Sequence, residues 1–415
     1  MTDLDAAHGV LTGAGMGDLL RAGLTGIPDA DLPGFTWTLD AVHHRPGAEC
    51  SAGYEVTYAT PAGDVTEYLV ATTADVATPV TLRHDGVTLH LWRHPADPRL
   101  PALASVCDAA TVGGWLAGTP GSGRPAFGGS APVRPAPGGS FARLEVLTYR
   151  PLRRAVVRAT LGEQVAYVKA IRPDKGPDLM ARHRIMDAAE LGPRVLAMPL
   201  AGVVVTAASA GVPLAEVLAG GVEGVGVPRP DAVADLLDRL PATVVELPER
   251  PSWTARADFH GASAVAALPG EAAEIASMVA EIEDLVARAP VGPVVPTHGD
   301  LHEANLFVAG GEPVGLIDVD SLGPGRREDD LACLVGHLAV LPDLSPGHYG
   351  HLAPVVRAWA EAFEEVVDAA AFRVRVAGVI LSLVAGGTPE HALARLDLAR
   401  AWLWRARHAL GTPVE

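Results

Sequence analysis

The chain has 415 residues, of which 49% are hydrophobic, so two or three domains with sizeable cores are expected and disorder of the whole chain is excluded. Its formal net charge of −17 argues against nucleic acid and anionic membranes as partners, because repulsion opposes both encounters, and it suits a cationic small substrate. Cys50, Cys107 and Cys333 are far apart and form no CxxC pair, which predicts free thiols rather than a disulfide framework. We expect a cytoplasmic monomer that acts on a small molecule.

The first part of the chain is predicted to be rich in β-strands. The N-terminus begins with acidic residues and has no basic region, so a secretory signal is not expected. Residues 35–100 contain short β-branched or aromatic runs, with PAGD and HDG as hairpin turns, and 101–117 are typical of a short helix. We assign 1–117 to an N-terminal cap domain. Residues 118–140 are rich in Gly, Pro and Ser, which predicts a linker.

After the linker the pattern changes from strands to helices. Three strand-like runs precede a helix that begins near Asp178 and ends at Pro193. The segment from Val195 to Ala215 is uncharged and long enough to span a bilayer, but prolines and glycines interrupt it, so it is predicted as buried core with a strand from Val203. We assign 141–211 to a small lobe and 212–415 to a large helical lobe.

A constellation of polar residues near position 300 indicates phosphoryl transfer. In THGDLHEANLFV, four residues separate Asp300 from Asn305, and Asp318 follows thirteen residues later in VGLIDVD. The apolar runs NLFV and VGLI predict a hairpin that brings Asn305 and Asp318 to neighbouring strand ends. Mg²⁺ prefers such oxygen ligands. The spacing matches a kinase base followed by two metal ligands, and the required strand lysine is Lys169 in VAYVKAIRP.

These segments carry a family resemblance. HGDLHEAN, LIDVD, GPGRREDDLA, the strand lysine and the turn RPLRRAV resemble the aminoglycoside phosphotransferase and maltokinase-like family of small-molecule kinases, over roughly residues 141 to 415. The resemblance implies an α+β, bilobal protein-kinase-like fold, with ATP and Mg²⁺ as cofactors and a hydroxyl as acceptor. It implies that Asp300 is the catalytic base, that Asn305 and Asp318 bind the metal, and that Lys169 binds the phosphates of ATP.

The N-terminal segment extends the resemblance, and the chain differs from the family pattern at two places. YEVTYATPAGDVTEYLVATT, within 1–117, is similar to the N-terminal cap of maltokinase-like enzymes. Maltokinases resemble HGDLHLGQ at the catalytic loop, whereas this chain has Asn305 at the metal position, which argues against maltose as acceptor. The family usually pairs its strand lysine with a helix glutamate. Here the candidates are His183, Asp187 and Glu190, and the sequence does not select among them.

Several residues have more than one interpretation. His298 and His302 lie four residues apart, but an intervening glycine disfavours a helix and HExxH is absent, so a zinc-protease site is not expected. We predict that His298 braces the loop through a backbone hydrogen bond, and that His302 does the same or contacts the acceptor. Asp330 is predicted primarily as a helix cap, and alternatively as an anchor for the catalytic loop.

The acceptor is predicted to be a sugar or amino sugar, with glucosamine as the best candidate. Candidate acceptor contacts are Glu303, Asp320 and Trp404, although helix packing is the first interpretation for the pair of Trp402 and Trp404. An aminoglycoside O-phosphotransferase, or another small-molecule kinase such as a maltokinase, is the alternative. A nucleotide-binding protein without catalysis is disfavoured, because all four kinase residues are intact.

Overall fold

The structure is a computed structural model that describes residues 3–24, 32–44, 49–118, 141–220, 222 and 224–411. The chain forms two compact units. One comprises residues 1–180 and 195–208, and the other comprises residues 181–194 and 209–415. Apart from Gly118, the predicted linker at 118–140 lies outside the described residues.

The first unit contains an antiparallel sheet formed by the N-terminal segment. Its elements are α1 (Asp3–Thr12), α2 (Met16–Gly23), β1 (Thr36–His44), β2 (Cys50–Thr60), β3 (Gly63–Thr72), β4 (Val80–His84) and β5 (Val87–Arg93). The strand order is β1-β2-β3-β5-β4. Asp85 and Gly86 have φ of +48° and +81°, as the tight turn between β4 and β5 requires. The predicted strands and hairpin turns are confirmed, whereas the two N-terminal helices were not predicted.

The first unit also contains a second antiparallel sheet. Its elements are α3 (Leu103–Val106), α4 (Ala109–Ala117), β6 (Arg143–Arg150), β7 (Arg154–Leu161), β8 (Gln164–Ile171), β9 (Val195–Ala197) and β10 (Val203–Ala207). The strand order is β6-β7-β8-β10-β9. The short helix predicted at 101–117 is divided in two, because the carboxylate of Asp108 accepts a hydrogen bond from Thr111 N and begins a new helix.

The uncharged segment from Val195 to Ala215 forms short elements, as predicted. It contains β9 and β10, and Val203, Val204 and Val205 are buried. In the part of the chain that the structure describes, no helix has both the length and the apolar character needed to cross a membrane.

A buried carboxylate connects the two sheets of the first unit. Asp97 is 3% exposed and follows β5. One of its oxygens accepts hydrogen bonds from Arg99 N and Leu100 N, at 2.8 and 3.1 Å. The other accepts from the Tyr149 hydroxyl and from Leu152 N, both at 2.8 Å, at the turn between β6 and β7. Because buried polar groups need partners, these four donors stabilise the carboxylate and connect the two sheets.

The second unit is mainly helical. The helix α5 (Gly176–Ala188) ends in this unit, and the later elements are β11 (Val212–Pro213), α6 (Leu214–Leu218), α7 (Pro230–Asp238), α8 (Ala257–Ala267), α9 (Ala272–Arg288), β12 (Val295–Thr297), β13 (Leu306–Ala309), β14 (Glu312–Leu316), β15 (Gly323–Gly325), α10 (Arg327–Leu344), α11 (Pro346–Tyr349), α12 (Ala353–Glu364), α13 (Ala369–Leu383) and α14 (Pro389–Ala409). Strands β11, β13 and β14 form one sheet, and β12 pairs with β15.

The core of the second unit surrounds α13. This helix packs against α8, α9, α10 and α14, and most of its residues are buried, as expected for a helix that is mostly apolar. With antiparallel sheets in the N-terminal part and helices in the C-terminal part, the fold is α+β, as predicted.

Candidate active site

The predicted catalytic hairpin is present in the second unit. Strands β13 and β14 pair with Leu306 opposite Leu316, and Gly310 and Gly311 form the tight turn with φ of +59° and +83°. At the open end of the hairpin, the N–H of Ile317 donates to the carbonyl of Asn305 at 3.0 Å. The hairpin therefore places Asn305 beside the residue that precedes Asp318.

The loop that carries Asp300 is anchored by a buried aspartate on α10. The two carboxylate oxygens of Asp330 accept hydrogen bonds from His298 N and Gly299 N, both at 2.8 Å. Asp330 is fully buried, and burial raises the pKa of its carboxyl. The prediction that Asp330 caps the helix was wrong, because α10 begins at Arg327 and Arg326 is its N-cap. The alternative, an anchor for the catalytic loop, is confirmed.

The backbone of the loop leaves no room for a side chain next to Asp300. Gly299 has φ of +77°, and a Cβ atom there would lie 2.5 Å from the carbonyl oxygen of Ser321. His298 is fully buried, and its Nε2–H donates to the carbonyl of Ile317 at 2.8 Å. The predicted brace at His298 is confirmed, and it connects the loop to the residue before Asp318.

The residues predicted to bind metal lie on the hairpin that follows Asp300, the predicted base. The amide nitrogen of Asn305 donates to the carbonyl of Asp300 at 2.9 Å, so its carbonyl oxygen is the atom available to a cation. Asp318 has φ of +55°, a left-handed conformation that non-glycine residues rarely adopt and that is common at functional sites. A carboxylate and an amide oxygen suit a hard cation such as Mg²⁺.

A buried arginine supports the segment after Asp318, which the sequence did not indicate. Arg182, on the C-terminal half of α5, is 1% exposed, and its Nε donates to the carbonyl of Leu322 at 2.9 Å. Because a buried guanidinium must be hydrogen-bonded, this contact holds the chain that follows the metal-binding candidate.

Beyond Asp300, the loop presents a buried carboxylate beside two histidines. Glu303 is 9% exposed, and burial, together with the charge of Asp300, raises the pKa of its carboxyl. The ring of His302 stacks on that of His337 at 4.9 Å, and burial lowers the pKa of His337 to about 3. One nitrogen of each histidine and a Glu303 oxygen lie within 4.8 Å of one another. The cluster therefore combines a carboxyl group with two imidazoles, which are groups that can bind a cation.

The other residues predicted to contact the acceptor or to pack in a helix, Asp320, Trp402 and Trp404, lie on two other elements. Asp320 is half-buried in the 3₁₀ turn Val319–Ser321. Trp402 is buried against Phe372, so helix packing is confirmed for it. Trp404 is 48% exposed, and its ring lies 3.9 Å from that of His408 on the same helix.

The predicted lysine lies on a strand, as expected. Lys169 is half-buried on β8 in the first unit, opposite Val156 of β7 and Val204 of β10. Of the candidates for its helix partner, His183 and Asp187 lie on α5. Glu190 lies beyond the end of that helix, in a left-handed conformation. The choice between His183 and Asp187 stays open.

A pocket adjoins Asp300, and the sequence did not predict most of its lining. The residues that line the pocket belong to the segment before α8, to the catalytic loop and to the segment around β15. We call it the Trp253 pocket, and its lining residues are Arg250, Pro251, Ser252, Trp253, Arg256, Thr297, Gly299, Asp300, Ser321, Pro324, Gly325 and Asp329.

Comparison with known families agrees with this geometry. The family model described as "Phosphotransferase enzyme family" (APH) matches residues 48–346, which is more than half of the chain. The chain belongs to this family. The predicted resemblance is thus confirmed, and the protein is a small-molecule phosphotransferase of kinase-like fold that uses ATP.

Solved structures similar to this phosphotransferase include three kinases. A choline/ethanolamine kinase family protein from Mesorhizobium loti is 17% identical and covers 66% of this chain and 94% of its own, with a TM-score of 0.46. The choline kinase LicA from Streptococcus pneumoniae is 14% identical and covers 63% and 93%, with a TM-score of 0.46. Aminoglycoside phosphotransferase APH(3'')-Id from Streptomyces rimosus, in complex with ADP and streptomycin, is 22% identical and covers 60% and 95%, with a TM-score of 0.39. No curated protein matches the phosphotransferase.

Proposed function

We propose that this phosphotransferase transfers the γ-phosphoryl group of ATP to a hydroxyl of a sugar or amino sugar, with glucosamine as the best candidate. The observation that carries the proposal is the anchored catalytic loop. Hydrogen bonds from His298 and to Asp330 hold the backbone next to Asp300, and the hairpin brings Asn305 close to Asp318. A base on an anchored loop, with two oxygen ligands at the open end of the adjoining hairpin, suits phosphoryl transfer, in which positioning and electrostatics supply most of the rate.

Each residue has a separate role in this proposal. Asp300 accepts the proton of the acceptor hydroxyl as the hydroxyl oxygen attacks the γ-phosphorus. Asn305 and Asp318 would hold Mg²⁺, which when bound neutralises charge on the phosphate oxygens. Lys169, in the first unit, is proposed to bind the phosphates of ATP.

The acceptor contacts are proposed on the same loop and beyond it. Among His302, Glu303, Asp320 and Trp404, Glu303 has the strongest support as the partner of an ammonium group. Its carboxylate is buried beside two imidazoles and close to the charge of Asp300. An ammonium group taken out of water without a partner costs several kcal/mol, so an amino sugar needs such a carboxylate.

The alternative acceptor is an aminoglycoside antibiotic. The feature that discriminates is the N-terminal sheet β1–β5, because resistance enzymes are expected to lack such a cap. Asn305 at the metal position argues against a maltokinase, which resembles HGDLHLGQ at this loop.

The acceptor is tested by measuring ATP consumption with glucosamine, N-acetylglucosamine, glucose, maltose and kanamycin under identical conditions. We expect the highest kcat/KM for glucosamine, because Glu303 would pair with its ammonium group, and a lower value for N-acetylglucosamine, which lacks the charge. Equal use of glucose and glucosamine would remove the ammonium contact from the proposal. A strong preference for kanamycin would favour the aminoglycoside phosphotransferase.

Metal dependence provides a second test. We expect activity to require added Mg²⁺ or Mn²⁺ and to be lost in excess chelator. Asp318→Ala should lose activity by about 10²-fold or more without unfolding the chain, with a small fall in Tm because alanine tolerates the left-handed conformation less well than aspartate. Asp284→Ala, on the exposed face of α9, is the control. Full activity in chelator would contradict the metal-dependent reaction.

A further inference from the structure

The Trp253 pocket contains the base, and its charge pattern is unusual for an acidic chain. Asp329 is neutralised by a salt bridge to Arg375 at 2.9 Å. Arg250 and Arg256 also line the pocket, and among the described residues neither guanidinium forms a salt bridge with a carboxylate. Among the described residues, the charged side chains that line the pocket and form no salt bridge therefore include two arginines, Arg250 and Arg256.

The pocket also has an aromatic wall. Trp253 is half-buried, and its ring lies 5.4 Å from the ring of His260, which is 6% exposed. The buried His260 ring thus supports the indole, and Trp253 is among the residues that line the pocket. Arg256 is held over the ring of Phe259 at 4.6 Å, which fixes the guanidinium near this wall.

Such a set of groups is complementary to a sugar ring. The C–H bonds on one face of a pyranose form an apolar surface that packs against an indole, and the planar guanidinium donates several N–H groups to hydroxyl oxygens. A quaternary ammonium acceptor would instead meet two unpaired arginines, and the repulsion would oppose its binding.

We propose that the Trp253 pocket is the acceptor subsite, in which a sugar ring lies against the indole of Trp253 and its hydroxyl groups accept hydrogen bonds from Arg250 and Arg256. This inference rests on the proposed function, because an acceptor hydroxyl must reach Asp300, which lines the same pocket. It assigns the aromatic contact to Trp253 rather than to Trp404, which is absent from the lining. The ammonium group of an amino sugar would point away from the arginines.

The test measures the KM of each variant for the best acceptor among the five compounds assayed above. Trp253→Ala should raise the KM for the acceptor by about tenfold or more, and Trp253→Phe should raise it less, because a smaller aromatic face remains. Arg256→Gln should raise the same KM, while the KM for ATP stays within about twofold in all three variants. Trp37→Phe, a half-buried tryptophan of the first unit, and Arg288→Gln, an exposed arginine of α9, are matched controls.

The outcomes separate this inference from the proposed function. If a sugar is phosphorylated but Trp253→Phe and Arg256→Gln leave its KM unchanged, the pocket assignment is overturned and the sugar kinase stands. If an aminoglycoside is the acceptor, its sugar rings should show the same dependence on Trp253, and the pocket assignment survives the loss of the glucosamine proposal. If choline is used and ring-shaped acceptors are not, both proposals are overturned. Should Trp253→Ala fold poorly, as a lower Tm would reveal, the other two variants decide.

Discussion

Asp300→Asn is expected to lower kcat by about 10²–10⁴-fold while ATP binding stays close to that of the wild type. The amide has nearly the shape of the carboxylate but does not accept the proton of the attacking hydroxyl. The backbone of the loop is held by Asp330 and His298, so the substitution should leave the loop in place. Steady-state kinetics with the best acceptor, and titration with an ATP analogue, measure the two effects.

The control for this variant is Asp284→Asn, which removes a carboxylate on α9 that pairs with Arg288 at the surface. Its kcat should equal that of the wild type. Unimpaired kcat in Asp300→Asn would show that this carboxylate is not the base.

Asp330→Ala is expected to have the second largest effect, on both stability and activity. Its carboxylate satisfies the N–H groups of His298 and Gly299 in a fully buried position. Truncation leaves two buried donors without partners, at a cost of about 1–3 kcal/mol each in the free energy of unfolding. The loop should also lose its fixed position, and a displacement of about 1 Å can lower kcat by about 10²-fold.

Chemical denaturation and kcat, measured on the same preparation, test this prediction. Asp330→Asn should fall between Ala and wild type, because its amide oxygen still accepts one of the two hydrogen bonds while its nitrogen faces the other donor. If Asp330→Ala keeps the wild-type free energy of unfolding and kcat, the anchor has no energetic role.

Local patterns were sufficient to predict the longer strands and the catalytic hairpin, but not the strands of two or three residues, β9, β11, β12 and β15. The alternation of apolar and polar residues in β6–β8, and the apolar runs next to Asn305 and Asp318, can be recognised from consecutive residues. The glycine pair at Gly310 and Gly311 is typical of a hairpin turn. Helix α8 was not predicted, because its sequence consists mostly of small residues and lacks a clear apolar stripe. It is stabilised by packing against α9 and α13, and such contacts cannot be predicted from the local sequence.

The support of the active site was predicted only in part. The sequence indicated the brace at His298 and, as an alternative to a helix cap, the anchor at Asp330, but not Arg182, which reaches Leu322 from a helix much earlier in the chain. Trp253 lies in a segment without regular periodicity, so only the folded structure brings it to the pocket of Asp300. The spacing of Asp300, Asn305 and Asp318 was visible because it is short. Arg182 and Trp253, which were not predicted, are distant from them in sequence.

The hydrogen bonds of Asp97 determine how the chain would behave if it were cut into two fragments. Its four hydrogen-bond donors lie on both sides of residues 119–140, two next to Asp97 and two at the β6–β7 turn. A chain cut between those segments would leave one fragment with a carboxylate that has lost half of its donors. The other fragment would carry the Tyr149 hydroxyl and Leu152 N–H without their acceptor. Each fragment would thus hold the missing half of a single buried polar cluster, so the pair would behave as complementary fragments that fold together and not as two interchangeable modules.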